Sequence, residues 1–416
     1  MKLVSNSIIL LVSSIISSGI PFLLQPVLTR VLTPTDYGYI SLFQIITAIL
    51  TPLIHLGYNT AIEKKFFDTE NTLNIKKLRG TALIISSGIV FLWTGVLLLL
   101  NYTSILNIGL TYEWVLLAGL FSISETFVIH RLSNLKILNK FSQLGIFNIV
   151  LSFLDIGFTL IFILVFDFDW KGRVIGRVLA WTICGLASFI WLKQENLISF
   201  IFDNRYLRIL NKFSLPIVPH LLSAFVINAS DRIFILNMIG KHELGIYTVG
   251  YQLGMIVIVV GAAFNKVWQP FIFKELNLND IKINRKIVAY TYYYFGFILM
   301  FAIMMGLFAP YFVKFFLGEQ FQESSKYILY VSLGYAFNSM FTIISTYYYY
   351  SERTKIIALS TLFTAAINLL ANYILIKLNG AIGAAQATLL SFFLQWIVTW
   401  YLSNKIYPMP WRIQKY

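Results

Sequence analysis

The chain has few charged residues and a single cysteine. Only 12% of its 416 residues are charged, whereas 58% are hydrophobic. A soluble domain carries roughly 25% charged residues, so these charges are too few to cover a water-facing surface of this size. The lone Cys184 excludes an internal disulfide, and no metal-ligand spacing is present. The sequence therefore predicts no metal site and no cofactor.

Sequence motifs for catalysis are also lacking. No Gly-rich phosphate loop, nucleophile elbow or paired carboxylates in a sizeable loop occur. Glu319 and Glu323, in the segment 310–326, come nearest to a catalytic cluster and are interpreted as solvated loop charges. We therefore expect no catalytic residues and no enzyme.

Twelve apolar runs are long enough for helices that cross about 30 Å of hydrocarbon, which takes around 20 residues each. Alternating strands of about ten residues, typical of a membrane barrel, are absent. The predicted fold class is an all-α polytopic membrane protein with about 12 transmembrane helices. The spans are 4–28, 38–60, 81–101, 112–131, 143–166, 174–193, 213–239, 244–265, 288–309, 325–350, 355–377 and 381–403.

The basic residues alternate between the two sides of these spans. One side, which includes both termini, carries 23 of the 32 Lys and Arg residues, and the other carries eight. Because Lys and Arg are retained in the cytoplasm, both termini are predicted to be cytoplasmic. The net charge of +14 thus reflects membrane orientation, and nucleic acid is not an expected partner. The long cytoplasmic loops 193–212 and 266–287 are candidates for interfacial helices.

A weak internal repeat divides the chain near its middle. Residues 36–41 (DYGYIS) and 243–248 (ELGIYT) share a pattern of acid, glycine and hydroxyl, offset by 207 residues. Gly176 and Gly383 repeat at the same offset. We predict two six-helix lobes, residues 1–200 and 201–416. Six helices per lobe give both copies the same orientation, so they are parallel repeats related by a pseudo-two-fold axis along the membrane normal.

Several motifs match one family of membrane carriers. They are 26–38 (PVLTRVLTPTDYG), 216–223 (PIVPHLLS), 228–232 (NASDR), 243–247 (ELGIY) and 268–271 (WQPF). Together with the length, helix number and orientation, they resemble the O-antigen and polysaccharide flippases. Those proteins form the polysaccharide transporter branch of the multidrug/oligosaccharidyl-lipid/polysaccharide (MOP) exporter superfamily.

The resemblance implies a carrier for an undecaprenyl-pyrophosphate-linked oligosaccharide, the repeat unit of an O-antigen or capsule. Such a carrier lies in the bacterial inner membrane and moves the repeat unit from the cytoplasmic to the periplasmic leaflet. Two lobes are expected to open alternately around a cationic cavity. The expected partners are the lipid-linked substrate, membrane lipids, a polysaccharide polymerase and a chain-length regulator.

Charged and titratable residues within the spans are the candidate site residues, because each is costly in hydrocarbon unless it faces a partner or water. Cationic candidates for binding the pyrophosphate are Arg30, Arg177, Arg232 and Lys266. Candidates for ion coupling or for polar groups of the cavity are Glu125, Asp155, His220 and Asp231. Arg232 is favoured, because a guanidinium offers bidentate donors to phosphate. The alternatives are interhelical packing for the buried groups and snorkelling for those near span ends.

Prolines in the first helix of each lobe are candidate hinges: Pro26, Pro216 and Pro219. The tyrosine runs 292–294 and 347–350 could stack on sugar rings, although such residues more often serve in an interfacial belt or in packing. Two other functions stay open. One is an ion-coupled multidrug or metabolite antiporter of the same superfamily, and the other is an O-antigen polymerase-type membrane enzyme.

Overall fold

The structure, a computed structural model, describes residues 19, 22–67, 74–103, 111–278 and 280–411. These residues form helices, and none of them lies in a strand. Eleven segments are long and apolar enough to cross a membrane, and a shorter apolar helix, Phe22–Val31, precedes them. The all-α fold class is therefore confirmed, and each of the eleven segments overlaps a predicted span. Most of the predicted first span, 4–28, lies outside the described residues.

Fifteen α-helices follow one another along the described residues. They are α1 (Phe22–Val31), α2 (Pro34–His55), α3 (Tyr58–Phe66), α4 (Ile75–Tyr102), α5 (Tyr112–Ile137), α6 (Phe141–Leu160), α7 (Asp169–Gln194), α8 (Asn204–Ser214), α9 (Val218–Met238), α10 (Lys241–Gly254), α11 (Ile256–Leu276), α12 (Ile281–Phe316), α13 (Ser325–Tyr350), α14 (Thr354–Asn379) and α15 (Ala381–Ile406). A π-helical turn, Ile161–Val165, extends α6, and 3₁₀ turns precede α9 and α13. Helices α10 and α11 together form one candidate span, Lys241–Leu276.

Most helices extend beyond the apolar runs that predicted them. Helix α12 has 36 residues and is therefore about 54 Å long, which exceeds the roughly 30 Å thickness of hydrocarbon. The loop 266–287 is consequently not a separate interfacial helix, because α11 continues to Leu276 and α12 begins at Ile281. The polar residues in the end turns of these helices fall outside the apolar runs, so the runs underestimate the helix lengths.

Helix α8 is the amphipathic helix predicted within 193–212. Asp203 caps its first turn by accepting a hydrogen bond from the backbone N–H of Arg205. Tyr206 and Leu210 are buried on one face, while Arg205 and Arg208 are exposed on the other. The buried face packs against Tyr58 of α3 and Leu78 of α4, so α8 is amphipathic and docks its apolar side on the unit 1 helices.

Backbone contacts divide the described helices into two bundles. Unit 1 contains Tyr39–Phe225, and unit 2 contains Gln25–Gly38 together with residues 226–411. In unit 1, α7 packs against α5 and α6, and in unit 2, α13 and α14 pack against α15. The borders between the units lie inside α1, α2 and α9. A division of the sequence into lobes at residue 200 stays a prediction.

Two repeat-related glycines contact each other's helices within unit 2. The Cα of Gly245 lies against the carbonyl oxygen of Pro34, and that of Gly38 lies against the carbonyl oxygen of Lys241. The four positions are pairwise equivalent under the 207-residue offset. The first turns of α2 and α10 therefore pack on each other reciprocally, which gives the sequence repeat a structural counterpart.

Gly245→Ala is expected to destabilise the protein by about 1–3 kcal/mol, because the new methyl group would overlap the Pro34 carbonyl and force the helices apart. Gly88→Ala, in α4, is the matched control, since a Cβ there meets open space. That variant should be neutral or more stable by up to about 1 kcal/mol. The apparent melting temperature of purified protein measures both effects. Equal temperatures for the two variants would contradict the close approach of α2 and α10.

Candidate functional site

Asp231 is a fully buried carboxylate in the middle of α9. Its oxygens accept hydrogen bonds from the hydroxyl of Tyr247 on α10 and from the backbone N–H of Arg232. Its exposed fraction is 0%. A buried carboxylate needs such donors because burial without partners costs several kcal/mol. Asp231 thus links α9 to α10 through Tyr247 and also binds the backbone N–H of the following residue, Arg232.

Arg232 is half-buried, with its guanidinium over an aromatic ring. Its guanidinium lies 4.7 Å from the ring centroid of Tyr251, and one nitrogen donates to the carbonyl of Asn228 one turn earlier. The Nε atom is buried and has no hydrogen-bond partner within the described structure. The hydroxyl groups of Tyr251 and Tyr335 are hydrogen-bonded to each other at 2.7 Å. Arg232 is therefore a positioned cation with one donor, the Nε–H, that no acceptor in the described structure fills.

A network of amides and hydroxyls adjoins this cluster on α9, α14 and α15. Ser230 donates to Asn368 at 2.9 Å, and Asn372 donates to the same oxygen at 2.9 Å. Asn368 in turn donates to Ser391 at 3.3 Å. Each of these residues is at most 4% exposed. Polar bonds of this kind join helices within a membrane, so the network fixes the face of α9 that presents Asp231 and Arg232.

Unit 1 has a half-buried acid, Glu125 on α5. Its carboxylate accepts a hydrogen bond from Thr51 on α2 at 2.8 Å, and the same oxygen lies 3.9 Å from Nε2 of His55. Neither ring nitrogen of His55 has a hydrogen-bond partner within the described structure. Glu125 and His55 thus place a carboxylate and an imidazole side by side on two helices of unit 1.

Asp155 is paired with Arg173 in unit 1. The shortest distance between the guanidinium and the carboxylate is 2.5 Å, and Arg173 also donates to Thr159 at 2.7 Å. The predicted cation Arg177 lies one turn further along α7, with its guanidinium 5.4 Å from the ring centroid of Phe121. Asp155 therefore already has a cationic partner, and Arg177 is held on an aromatic ring as Arg232 is in unit 2.

The other predicted residues lie apart from these clusters. Arg30 is exposed and donates to the carbonyl of Phe315 at 3.3 Å, and Lys266 is exposed on α11. His220 is in the first turn of α9, but its side chain is outside the described residues.

The predicted hinge prolines occupy different helix positions. Pro26 is in the interior of α1, whereas Pro216 is in the 3₁₀ turn and Pro219 in the first turn of α9. Proline is tolerated in a first helical turn, where it removes no helical hydrogen bond. Hinge motion at any of the three stays a prediction.

Several contacts of the site residues were missed by reasoning from sequence. In the sequence, Arg173 is one of the eight basic residues on the side away from the termini, and no pattern marks His55 as a site residue. At the predicted cytoplasmic end of unit 1, Arg131 forms a bidentate pair with Glu195 at 2.5 and 3.1 Å. Hydrogen bonding to Arg131 lowers the pKa of the Glu195 carboxyl. Such partners come from different helices, so no local sequence signal identifies them. Within the described residues, no group of three or more His, Cys, Asp or Glu side chains is placed to hold a metal ion.

Comparison with known proteins agrees with this fold. The family model described as "Polysaccharide biosynthesis protein" matches residues 3–276, and the model "MatE" matches residues 216–374. "Lsg locus putative protein 1" of Haemophilus influenzae is 25% identical over 86% of this chain and 87% of its own length.

Solved structures of two transporters have the same fold. "Lipid II flippase MurJ, inward closed conformation" has a TM-score of 0.76 at 14% identity and covers 95% of this chain and 87% of its own. An inward-facing multidrug resistance MATE family transporter of the MOP superfamily has a TM-score of 0.74 at 16% identity, covering 93% and 94%. The protein is thus a multi-pass membrane protein with the fold of MOP-superfamily transporters, and it belongs to the polysaccharide biosynthesis protein family.

Proposed function

We propose that the protein is a flippase for an undecaprenyl-pyrophosphate-linked oligosaccharide, the repeat unit of an O-antigen or capsule. It would move this lipid from the cytoplasmic to the periplasmic leaflet of a bacterial inner membrane by alternate opening of its two bundles. Membership of the polysaccharide biosynthesis family supports the substrate class. The excess of basic residues on the side of both termini supports a cytoplasmic location for them.

The observation that carries the proposal is the environment of the Arg232 side chain. It is a half-buried guanidinium within a membrane span, oriented by the ring of Tyr251, with a buried Nε that has no partner in the described structure. A guanidinium binds phosphate oxygens through two parallel hydrogen bonds. Arg232 is therefore suited to bind the pyrophosphate while the sugars occupy polar surroundings. Arg30, Arg177 and Lys266 are proposed as further cations on the route of the headgroup.

An ion-coupled antiporter of the same superfamily is the second candidate. Glu125 beside His55 favours it, because a carboxylate within the membrane spans, 3.9 Å from the imidazole, is a binding group for a cationic ion or substrate. The same pair could instead couple a proton to flipping, together with Asp155, His220 or Asp231. Both candidates are carriers and not enzymes, and a polymerase is the remaining alternative.

A deletion strain separates these functions. Surface polysaccharide is analysed on a gel, and polyprenyl-linked intermediates are extracted and tested for cytoplasmic exposure. A flippase predicts loss of polymer with accumulation of complete repeat units facing the cytoplasm. Single repeat units that still reach the surface would identify a polymerase. Unchanged polysaccharide, together with increased drug susceptibility, would identify an antiporter.

A further inference from the structure

Helices α11 and α12 form an aromatic groove within unit 2. Its volume is about 610 Å³, and it is lined by Phe264, Val267, Trp268, Phe271, Tyr290, Tyr293, Tyr294 and Phe297. On each helix these residues recur at helical spacing, so they form one continuous face. The two faces oppose each other across antiparallel helices. We call this cavity the α11–α12 groove.

The groove has a buried floor and an exposed rim. Trp268 and Tyr294 form the floor, with exposed fractions of 5% and 4%. Val267 and Tyr293 form part of the rim and are 64% and 74% exposed. The ring of Phe264 stacks on that of Tyr294 at 4.1 Å between centroids. The lining is almost entirely apolar, with only the indole N–H of Trp268 and the tyrosine hydroxyls as polar groups. Flat aromatic walls that are open along one side suit a flexible hydrocarbon chain.

Both walls of the groove end in a lysine. Lys274 follows Phe271 by one turn of α11, and Lys286 precedes Tyr290 by one turn of α12. The rings of Phe271 and Tyr290 are 6.4 Å apart, so the two lysines lie at the same end of the groove. Both are exposed. By the distribution of basic residues, this end faces the cytoplasm. An exposed pair of ammonium groups at the mouth of an apolar slot matches an anionic lipid whose chain enters the slot.

We propose that the α11–α12 groove binds the polyprenyl chain of the lipid-linked substrate, with the phosphate near Lys274 and Lys286. The inference rests on the proposed flippase function. One slot with cations at one end fits a lipid that carries a single chain on its phosphate, whereas a phospholipid carries two. The methyl groups and planar alkenes of a polyprenyl chain also make close contact with aromatic ring faces.

Binding of undecaprenyl phosphate to the purified full-length protein tests the proposal, measured by titration in native mass spectrometry. Tyr293→Ala is expected to weaken binding about three- to tenfold, as loss of an aromatic contact does. Val267→Trp, which fills the slot from its rim, should weaken it at least as much. Tyr311→Ala is the matched control, since Tyr311 is on the same helix, outside the groove, and is 75% exposed. Its binding should stay unchanged.

The headgroup is tested with a neutral probe. Lys274→Gln combined with Lys286→Gln should weaken undecaprenyl phosphate but leave undecaprenol binding unchanged. Equal loss of both lipids, equal loss in Tyr311→Ala, or displacement by equimolar phosphatidylglycerol would each overturn the assignment and identify ordinary boundary lipid.

Failure of the groove is distinguishable from failure of the flippase function. If groove variants bind the lipid as the wild type does, while the deletion strain still accumulates cytoplasmic repeat units, only the groove assignment falls. If the deletion strain accumulates no repeat units and the wild-type protein does not bind undecaprenyl phosphate, both proposals fall.

Discussion

Arg232→Ala is expected to abolish surface polysaccharide while leaving the amount of protein in the membrane unchanged. The guanidinium contacts an aromatic ring and a carbonyl of its own helix. The hydrogen bonds to the neighbouring Asp231 come from Tyr247 and from a backbone N–H, so the alanine variant keeps them. Two charge-assisted hydrogen bonds to a pyrophosphate are together worth roughly 3 kcal/mol or more. Their loss should reduce polymer at least about a hundredfold. Polymer on a gel and protein level on a blot are compared in complemented deletion cells.

Two further variants identify the role of Arg232. Arg232→Lys keeps the charge but loses the bidentate geometry, so partial activity is expected. Arg208→Ala, on the exposed face of α8, controls for the loss of one arginine and should leave polymer unchanged. Normal polymer in Arg232→Ala would exclude pyrophosphate binding by this residue. A fall in protein level that matches the fall in polymer would identify Arg232 as a packing anchor.

Asp155→Ala is expected to destabilise the protein by about 3–5 kcal/mol, because it leaves Arg173 buried without its partner. The side chains are only 17% and 11% exposed, so water compensates little. Replacing both partners, as Asp155→Leu with Arg173→Leu, should be much less destabilising than either single change. Exchanging them, as Asp155→Arg with Arg173→Asp, should recover part of the stability. Apparent melting temperatures of the purified variants form a double-mutant cycle that measures the coupling.

Asp155→Asn separates a structural role from ion coupling. If the variant keeps a normal melting temperature but loses transport, Asp155 takes part in coupling. If it loses both together, the ion pair is structural. A wild-type melting temperature in Asp155→Ala would contradict the importance of the pair for stability.

The membrane spans could be predicted from the sequence because a helix that crosses the hydrocarbon core needs a run of about 20 apolar residues. The runs 112–131 and 381–403 correspond to α5 and α15, whose first residues, Tyr112 and Ala381, were predicted correctly. The ends of α12 were not, since its polar first turn around Lys282 resembles a loop in composition. The amphipathic helix α8 was predictable because charge and apolar residues alternate within it at helical spacing.

From the sequence, the candidate site could be predicted only as a set of charged residues that are unfavourable in hydrocarbon. Glu125, Asp155, Asp231 and Arg232 stand out in any apolar run, but their partners depend on which helices pack together. Arg173 reaches Asp155 only because α6 and α7 form a tight hairpin, and Tyr247 reaches Asp231 only because α10 packs on α9. Pairs of this kind join residues from different helices, so no local sequence pattern predicts them.

The position of the segment Gln25–Gly38 has a consequence for biosynthesis. It belongs to unit 2, although the chain enters unit 1 at the next residue, Tyr39. The ribosome completes this segment early, but the residues that it packs against, Lys241 and Gly245, emerge only after all of unit 1. The segment therefore remains in the membrane without its packing partners until the residues of unit 2 have been synthesised. Unit 2 cannot complete its packing from the second half of the chain alone, so assembly of the second bundle depends on a segment that is synthesised before the first bundle.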